Sequence, residues 1–309
     1  MPPHEPPAPP MNPRALRYFL AVVRAGSVRG AAEALHVAAS AVSRQVAELE
    51  AHHGTALLER LPRGVTPTEA GRILAEHAER QAEEAAFLED RLRRLRGAPQ
   101  GTVRLRCGAG FLPDLLENGL AGFATAHPGV AYRVALGTTG EILRAVAEGE
   151  TDLGLAYNPP AHAGVVSRRL APQPLAALLP PGHALAEDGT PRPLRAFATL
   201  PAALPPEDHG VRRLLARVEA DEGFRLSPRL ETEAFELQRR FVRAGLGVAF
   251  LPGFAALEEL RAGQLVAVPL ADPLLRHATA HLLARAGRRL PDAVERLAGW
   301  LEGRLAALS

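Results

Sequence analysis

Apolar positions recur at helical spacing through the first third of the chain. Leu16, Phe19, Leu20 and Val23 share one face of a segment from Arg14 to Arg24, which predicts an amphipathic helix. Gly26-Ser27 breaks that pattern, and Ser27 is placed to cap a second helix from Val28 to Leu35. After a turn at His36-Val37, a third helix is predicted from about Ala39 to His53, stopped by Gly54. Val42, Val46 and Leu49 form its apolar stripe, while Ser40, Ser43, Arg44, Gln45 and Glu48 take the opposite face. Two short helices joined by a tight turn, the second polar near its N-terminus, is the helix-turn-helix layout. A small three-helix bundle with a solvated face has the same spacing.

A long helix follows a short break near residues 61–67. Thr66-Pro67 offers a cap and a first-turn proline, with Glu69 at capping-box spacing. No proline intervenes before Pro99, so about 30 residues predict a rod of roughly 45 Å. Leu74, Ala78, Gln81, Ala85, Leu88, Leu92 and Leu95 alternate steps of four and three, an a/d seam that predicts dimerisation along this stripe. The alternative is packing of the helix on its own domain.

Beyond the linker Gly97-Ala98-Pro99-Gln100-Gly101 the pattern changes. Short β-prone runs at Thr102–Cys107, Tyr132–Leu136, Asp152–Ala156, Leu175–Leu179, Leu246–Leu251 and Gln264–Pro269 alternate with helical stretches at Leu115–Thr125, Glu141–Glu148 and Val211–Asp221. Alternation of this kind predicts parallel α/β layers. The expected organisation is a disordered proline-rich tail over 1–10, a helix-turn-helix domain over 11–65, a dimerisation helix over 66–97 and an α/β body over 98–309.

Composition narrows the function. Of 309 residues, 47% are hydrophobic and 23% charged, which excludes collagen-like repeats and wholesale disorder. A single cysteine excludes a disulfide framework or a Cys-based zinc cluster. No apolar run approaches the roughly 20 residues needed to cross a bilayer, and MPPHEPPAPP lacks the regions of a signal peptide. A cytoplasmic location with no membrane contact is expected. Every basic side chain is arginine, but the arginines are spread along the chain in the manner of a GC-rich coding bias, so they identify no partner.

Catalytic wording is lacking: there is no GxSxG, HExxH, GxxxxGK[ST] or helix-opening GxGxxG. Cys107 lies in a β-prone run and reads as a core residue, and the adjoining His52 and His53 cannot chelate from one helix face. No catalytic residue, metal or cofactor is expected. The runs 102–107 and 132–136 each end in a glycine-containing turn, Gly108-Ala109-Gly110-Phe111 and Gly137-Thr138-Thr139-Gly140, before a helix. Ligands of open α/β sheets bind beyond such strand ends, where helix N–H groups are free. Thr138 and Thr139 add hydroxyls there, although either alone reads equally well as an N-cap.

The segment from Met11 to Gly71 resembles the N-terminal winged helix-turn-helix of LysR-type transcriptional regulators. The match runs without a gap through Leu16, Phe19, Gly26-Ser27, Ala31-Ala32, Leu35, Ser43-Arg44-Gln45, Leu49-Glu50, Gly54, Leu58, Arg60, Thr66 and Glu69-Ala70-Gly71. The resemblance implies that the third helix enters the major groove and that Leu58 to Thr66 form a wing beside the phosphates. It implies that Ser27 caps a helix aimed at a phosphate, that Ser40, Ser43, Arg44 and Gln45 face bases or backbone, and that Arg63 sits in the wing. Ala38-Ala39-Ser40 stands where the family commonly has Ser-Gln-Pro, so a serine cap and a base-reading glutamine are missing, and Arg29-Gly30 is equally unusual.

Later stretches, GETDLGLAYNPP, PLAALLPPGHALA, ETEAFELQRRFVRAGLGVAFLP and GQLVAVPLADPLLR, resemble the effector domain of the same family, which has the fold of periplasmic binding proteins. That implies lobe I over about 101–170 and 269–309, lobe II over about 171–268, and a hinge of two crossings. An unidentified small-molecule effector is implied in the cleft, lined by Gly110, Phe111, Thr138 and Thr139 from one lobe and His209, Phe235 and Gly247 from the other. The seam residues Leu74, Gln81, Leu88, Leu92 and Leu95 are implied to pair two subunits, with a tetramer built through the bodies. A DNA-binding regulator is therefore expected. A transport solute-binder or an enzyme on the same bilobed fold would have no need of the helix-turn-helix head.

Overall fold

The computed structural model describes residues 11–94, 101–207 and 209–309; the expected tail and Leu95 lie outside the described residues. The chain divides into two compact units, Met1–Arg91 and Leu92–Ser309.

In the head, α1 (Pro13–Ala25), α2 (Val28–Leu35) and α3 (Ala39–His53) surround a core that includes Tyr18, Phe19, Val22, Val42 and Leu49. Asn12 caps α1 by accepting from the Arg14 amide at 2.9 Å, with Pro13 at the first helical position. The Ser27 hydroxyl caps α2, accepting from the Gly30 amide at 3.0 Å. Ala38 begins α3 with no side-chain cap, as the missing serine requires. β1 (Leu58–Leu61) and β2 (Gly64–Pro67) form an antiparallel hairpin. One Glu50 carboxylate oxygen accepts from the amides of Leu57 and Leu58 at 2.9 and 3.3 Å, and the Val65 amide donates to the Gly26 carbonyl at 2.8 Å. The hairpin is thus fixed to α3 at its base and to the turn before α2.

The long helix, α4 (Glu69–Arg94), differs from expectation at its start. Thr66 and Pro67 are spent in the ladder of β2, opposite Glu59 and Leu58, so Thr68 is the cap: its hydroxyl accepts from the Gly71 amide at 3.0 Å and donates to the Ala56 carbonyl at 2.8 Å. Thr68→Ala should therefore cost about 1 kcal/mol in the first turn of α4. Hydrogen exchange at the Gly71 amide is expected to quicken about fivefold, and unchanged exchange would assign the cap elsewhere.

The seam also needs correcting. Leu74 and Ala78 are 7% and 4% exposed and belong to the head's own core, so Leu74 is not available to a second subunit. Further along, Gln81 and Ala85 are exposed, and Leu88 and Leu92 are 58% and 54% exposed. The stripe packs on its own domain for its first turns and is uncovered in the single chain after them.

The body opens with β3 (Gly101–Cys107), followed by a helical run comprising a 3-10 turn at Ala109–Phe111, α5 (Leu112–Asp114), a π-helical turn at Leu115–Leu120 and α6 (Ala121–Ala126). Then come β4 (Val130–Leu136), α7 (Thr139–Ala147), β5 (Leu153–Tyr157) and β6 (Val165–Pro172). The chain crosses into a second sheet through β7 (Leu175–Leu179), β8 (Pro201–Leu204), α8 (Gly210–Glu222), β9 (Ser227–Glu231), α9 (Phe235–Arg243), β10 (Val248–Pro252), α10 (Leu257–Arg261) and β11 (Val266–Pro269). It returns through α11 (Pro273–Arg276) to β12 (Thr279–Arg285) and α12 (Asp292–Glu302).

The strand orders are β4-β3-β5-β12-β6 in lobe I and β11-β7-β10-β8-β9 in lobe II. Neither sheet is wholly parallel. β12 runs antiparallel to β5 and β6, and β7 antiparallel to β10 and β11. Each is the first strand of its sheet after the chain crosses from the other lobe, β7 directly after β6 and β12 after the single turn of α11, with no crossover helix packed on its own sheet to set it parallel. The C-terminus is tied back to lobe I, where the buried Asp114 carboxylate accepts from the amides of Ala306 and Ala307 at 3.0 and 2.8 Å.

Candidate DNA interface and effector cleft

On α3, the exposed positions Ser40, Ser43 and Arg44 lie within one turn of each other near the helix N-terminus. The Arg44 guanidinium is 3.5 Å from Glu48 and 77% exposed, a pairing that solvent leaves weak. Gln45 does not join them. It stands three residues after Val42 and four before Leu49, on the buried stripe, is 8% exposed, and its amide NH2 donates to Glu48. Arg63 is exposed in the turn between β1 and β2. A groove of about 420 Å³ between α3 and the hairpin carries Ser27, Ser43 and Arg60. Arg60 was not among the expected contacts, although it stands on the wing strand that the groove follows.

The cleft of the body is built by one rule applied twice. In lobe I the parallel strands β3, β4 and β5 point their carboxyl ends at it; in lobe II β8, β9 and β10 do the same. Gly110 and Phe111 follow β3, Thr138 and Thr139 follow β4, His209 precedes α8 and Phe235 opens α9, and these six line one cavity. Tyr157 at the end of β5 and Phe254 after β10 line it as well. Neither is among the residues expected from the sequence, yet the strand-end rule covers both.

Gly247 is not in the cavity. Its φ is +152°, and a Cβ there would stand 1.9 Å from the Pro201 carbonyl, so the residue serves the close approach of backbone before β10 to β8.

Thr138 is the N-cap of α7 in a capping box. Its hydroxyl accepts from the Glu141 amide at 3.4 Å, and its own amide donates to the Glu141 carboxylate at 2.8 Å. That backbone hydrogen bond holds the Glu141 carboxyl below its ordinary range. Thr138 is thus committed to the helix, while Thr139 is the first residue of α7 beside Gly210. Burial keeps the Tyr157 phenol protonated, its hydroxyl donating to the Gln173 carbonyl at 2.7 Å. No group of three or more His, Cys, Asp or Glu among the described residues could hold a metal.

The rings meet across the cleft. Phe111 and Phe254 have centroids 4.7 Å apart and Tyr157 and Phe254 6.3 Å, while within lobe II His209 and Phe235 are 5.5 Å apart. The remaining cavity is about 30 Å³, room for about two waters.

Residues 13–72 match the family described as bacterial regulatory helix-turn-helix protein, lysR family, and residues 96–306 match the LysR substrate binding domain. The chain is 30% identical over 291 residues to the HTH-type transcriptional regulator CfxR of Cupriavidus necator, covering 93% of this chain and 90% of that one. It is 35% identical over 268 residues to a probable hydrogen peroxide-inducible genes activator of Mycobacterium avium, covering 84% and 83%. Among solved structures it is similar to a full-length OxyR variant from Pseudomonas aeruginosa, with TM-score 0.69, 22% identity and 97% of each chain covered. A full-length CbnR bound to its target DNA matches with TM-score 0.51, 23% identity and coverage of 95% and 99%. The last two likenesses establish the fold. With both halves matched in order, the chain belongs to the LysR family and is a DNA-binding transcriptional regulator with an effector-binding domain, not an enzyme.

Proposed function

We propose that the regulator reads DNA through Ser40, Ser43 and Arg44 at the start of α3, with Arg63, Arg60 and the N-terminus of α2 capped by Ser27 on the phosphates. Two chains pair along the later part of α4, and further association through the bodies gives the tetramer. A small-molecule effector enters the cleft beside Gly110, Phe111, Thr139, His209 and Phe235 and biases the two lobes toward one arrangement, since equal affinity for both would shift nothing. The work takes place where the DNA is, in the cytoplasm.

The observation that carries this reading is the exposed Ser40-Ser43-Arg44 face beside a hairpin fixed at both ends. Arg44→Ala is expected to weaken binding to duplexes selected from a random pool by about 1–3 kcal/mol, roughly 5- to 150-fold, if Arg44 contacts a base. A uniform loss on all duplexes would make it a phosphate contact. Unchanged affinity in a fluorescence anisotropy titration would remove α3 from the groove.

The relative from Mycobacterium avium raises a peroxide response as a second reading. Peroxide chemistry at sulfur needs a thiolate within reach of solvent. Cys107, the single cysteine of the chain, is fully buried in β3, and burial pushes its thiol up to about 11. A thiol-based response is not supported.

A further inference from the structure

The effector cleft is already occupied by a side chain of the protein. Phe235 reaches from lobe II onto Gly110 of lobe I, so closely that a Cβ on residue 110 would stand 2.6 and 2.8 Å from two of its ring carbons. The ring is only 6% exposed. It is carried by the first residue of α9, whose N-cap Ala234 makes no side-chain bond. With Phe235 in place the free space of about 30 Å³ cannot admit any ring; without it, a phenyl-sized space opens between Gly110 and His209.

We propose that Phe235 is the specificity-determining residue of the cleft: its ring holds the place of the effector's own ring, and the effector displaces it. This rests on reading the cleft as the effector site. The surroundings set the chemical class. Among the described lining residues there is no charged side chain; the polar side-chain groups are the hydroxyl of Thr139, the cap-bound hydroxyl of Thr138, the imidazole of His209, whose Nδ1 accepts from the Val211 amide at 3.2 Å, and the committed phenol of Tyr157. A polyanion would enter uncompensated. A planar, mainly apolar ring with a single acceptor group directed at Thr139 and the start of α7 meets partners for each of its parts. Gly110 belongs to the same device, because any larger residue there would expel the ring.

The test uses benzene as the probe on the full-length chain, because the deleted side chain of Phe235→Ala leaves a space of that shape, and apolar cavities of this size take up benzene. Calorimetry is expected to show at least tenfold tighter benzene binding to Phe235→Ala than to wild type. Should Phe235→Ala not fold, judged by Trp300 emission, Phe235→Leu carries the same test with an intermediate gain. Equal affinities within twofold in a folded variant would overturn the proposal. A second measurement follows affinity for a duplex selected from a random pool, with and without benzene. A change confirms that filling the cleft is felt at the head. Benzene uptake with unchanged DNA affinity would leave Phe235 as the occupant but overturn the cleft as the regulatory site.

Discussion

Asp152→Ala is expected to lower the stability of the body by about 3–5 kcal/mol, because it removes the buried carboxylate that Arg104 and Arg288 share. The Asp152 side chain is 4% exposed and sits at the start of β5, away from the cleft. One of its oxygens accepts from the Arg104 amide at 2.9 Å and Nε at 3.2 Å; the other accepts from Arg104 Nη2 at 2.8 Å and Arg288 Nη1 at 3.0 Å. Arg288 is 10% exposed and Arg104 38%, so water screens part of the second interaction and the main loss falls on Arg288. Burial alone would push the Asp152 carboxyl up, but hydrogen bonds from Arg104 and the two positive charges outweigh it and hold it below the ordinary carboxylate value.

The direction of that shift fixes the pH dependence. A depressed carboxylate stabilises the fold fully above its unfolded value, about 3.9, and the contribution is lost as pH falls through the lower folded value. Wild type and Asp152→Ala should therefore differ most near neutrality and converge in acid below about pH 4. Urea unfolding followed by Trp300 emission reads this directly, since Trp300 is the single tryptophan and donates to the Gly119 carbonyl within the body. A constant difference from pH 7 down to acid would mean that packing, and not charge, accounts for the loss.

How far the sequence could be read depended on whether local chemistry and tertiary placement agreed. The third helix and the strand over 175–179 have the expected bounds because a glycine stop and an apolar run are local signals. The strands β6, β8, β9 and β12 went unseen. β9 is Ser-Pro-Arg-Leu-Glu at a sheet edge, with four of its residues exposed, and β8 is an alanine-rich segment led by proline. Their strand character comes from neighbours rather than from propensity.

Among the site residues, the polarity of Gln45 points to the surface, but its spacing from Val42 and Leu49 places it on the buried stripe. Thr138 and Glu141 form a capping box at the same spacing that separates Thr66 and Glu69. That pattern identifies a helix start only when the threonine is not already paired in a strand, as Thr66 is. The cleft was largely legible, since strand-end turns are a local pattern. Its closure by Phe235 was not, because nothing in one lobe's sequence reports which ring of the other lobe will lie against Gly110.

Leu88→Glu with Leu92→Glu is expected to split the tetramer into dimers held only through the bodies and to lower its affinity for a two-site duplex by about 10²–10⁴-fold, the usual loss when two linked contacts become independent. Both side chains are more than half exposed in the single chain, so a charge at either should change the stability of the chain itself by no more than about 0.5 kcal/mol. In a paired seam the same charges would face their like across the interface without solvent to separate them. Leu74 makes the informative contrast. It continues the same stripe in sequence but lies in the head core with Leu16, Phe19 and Val46. Leu74→Glu should unfold the head and abolish DNA binding by that route, with loss of helical circular dichroism. The double variant should keep its circular dichroism while sedimentation velocity shows half the wild-type mass. An unchanged mass for Leu88→Glu with Leu92→Glu would mean that subunits associate elsewhere and that the exposed end of α4 has another partner.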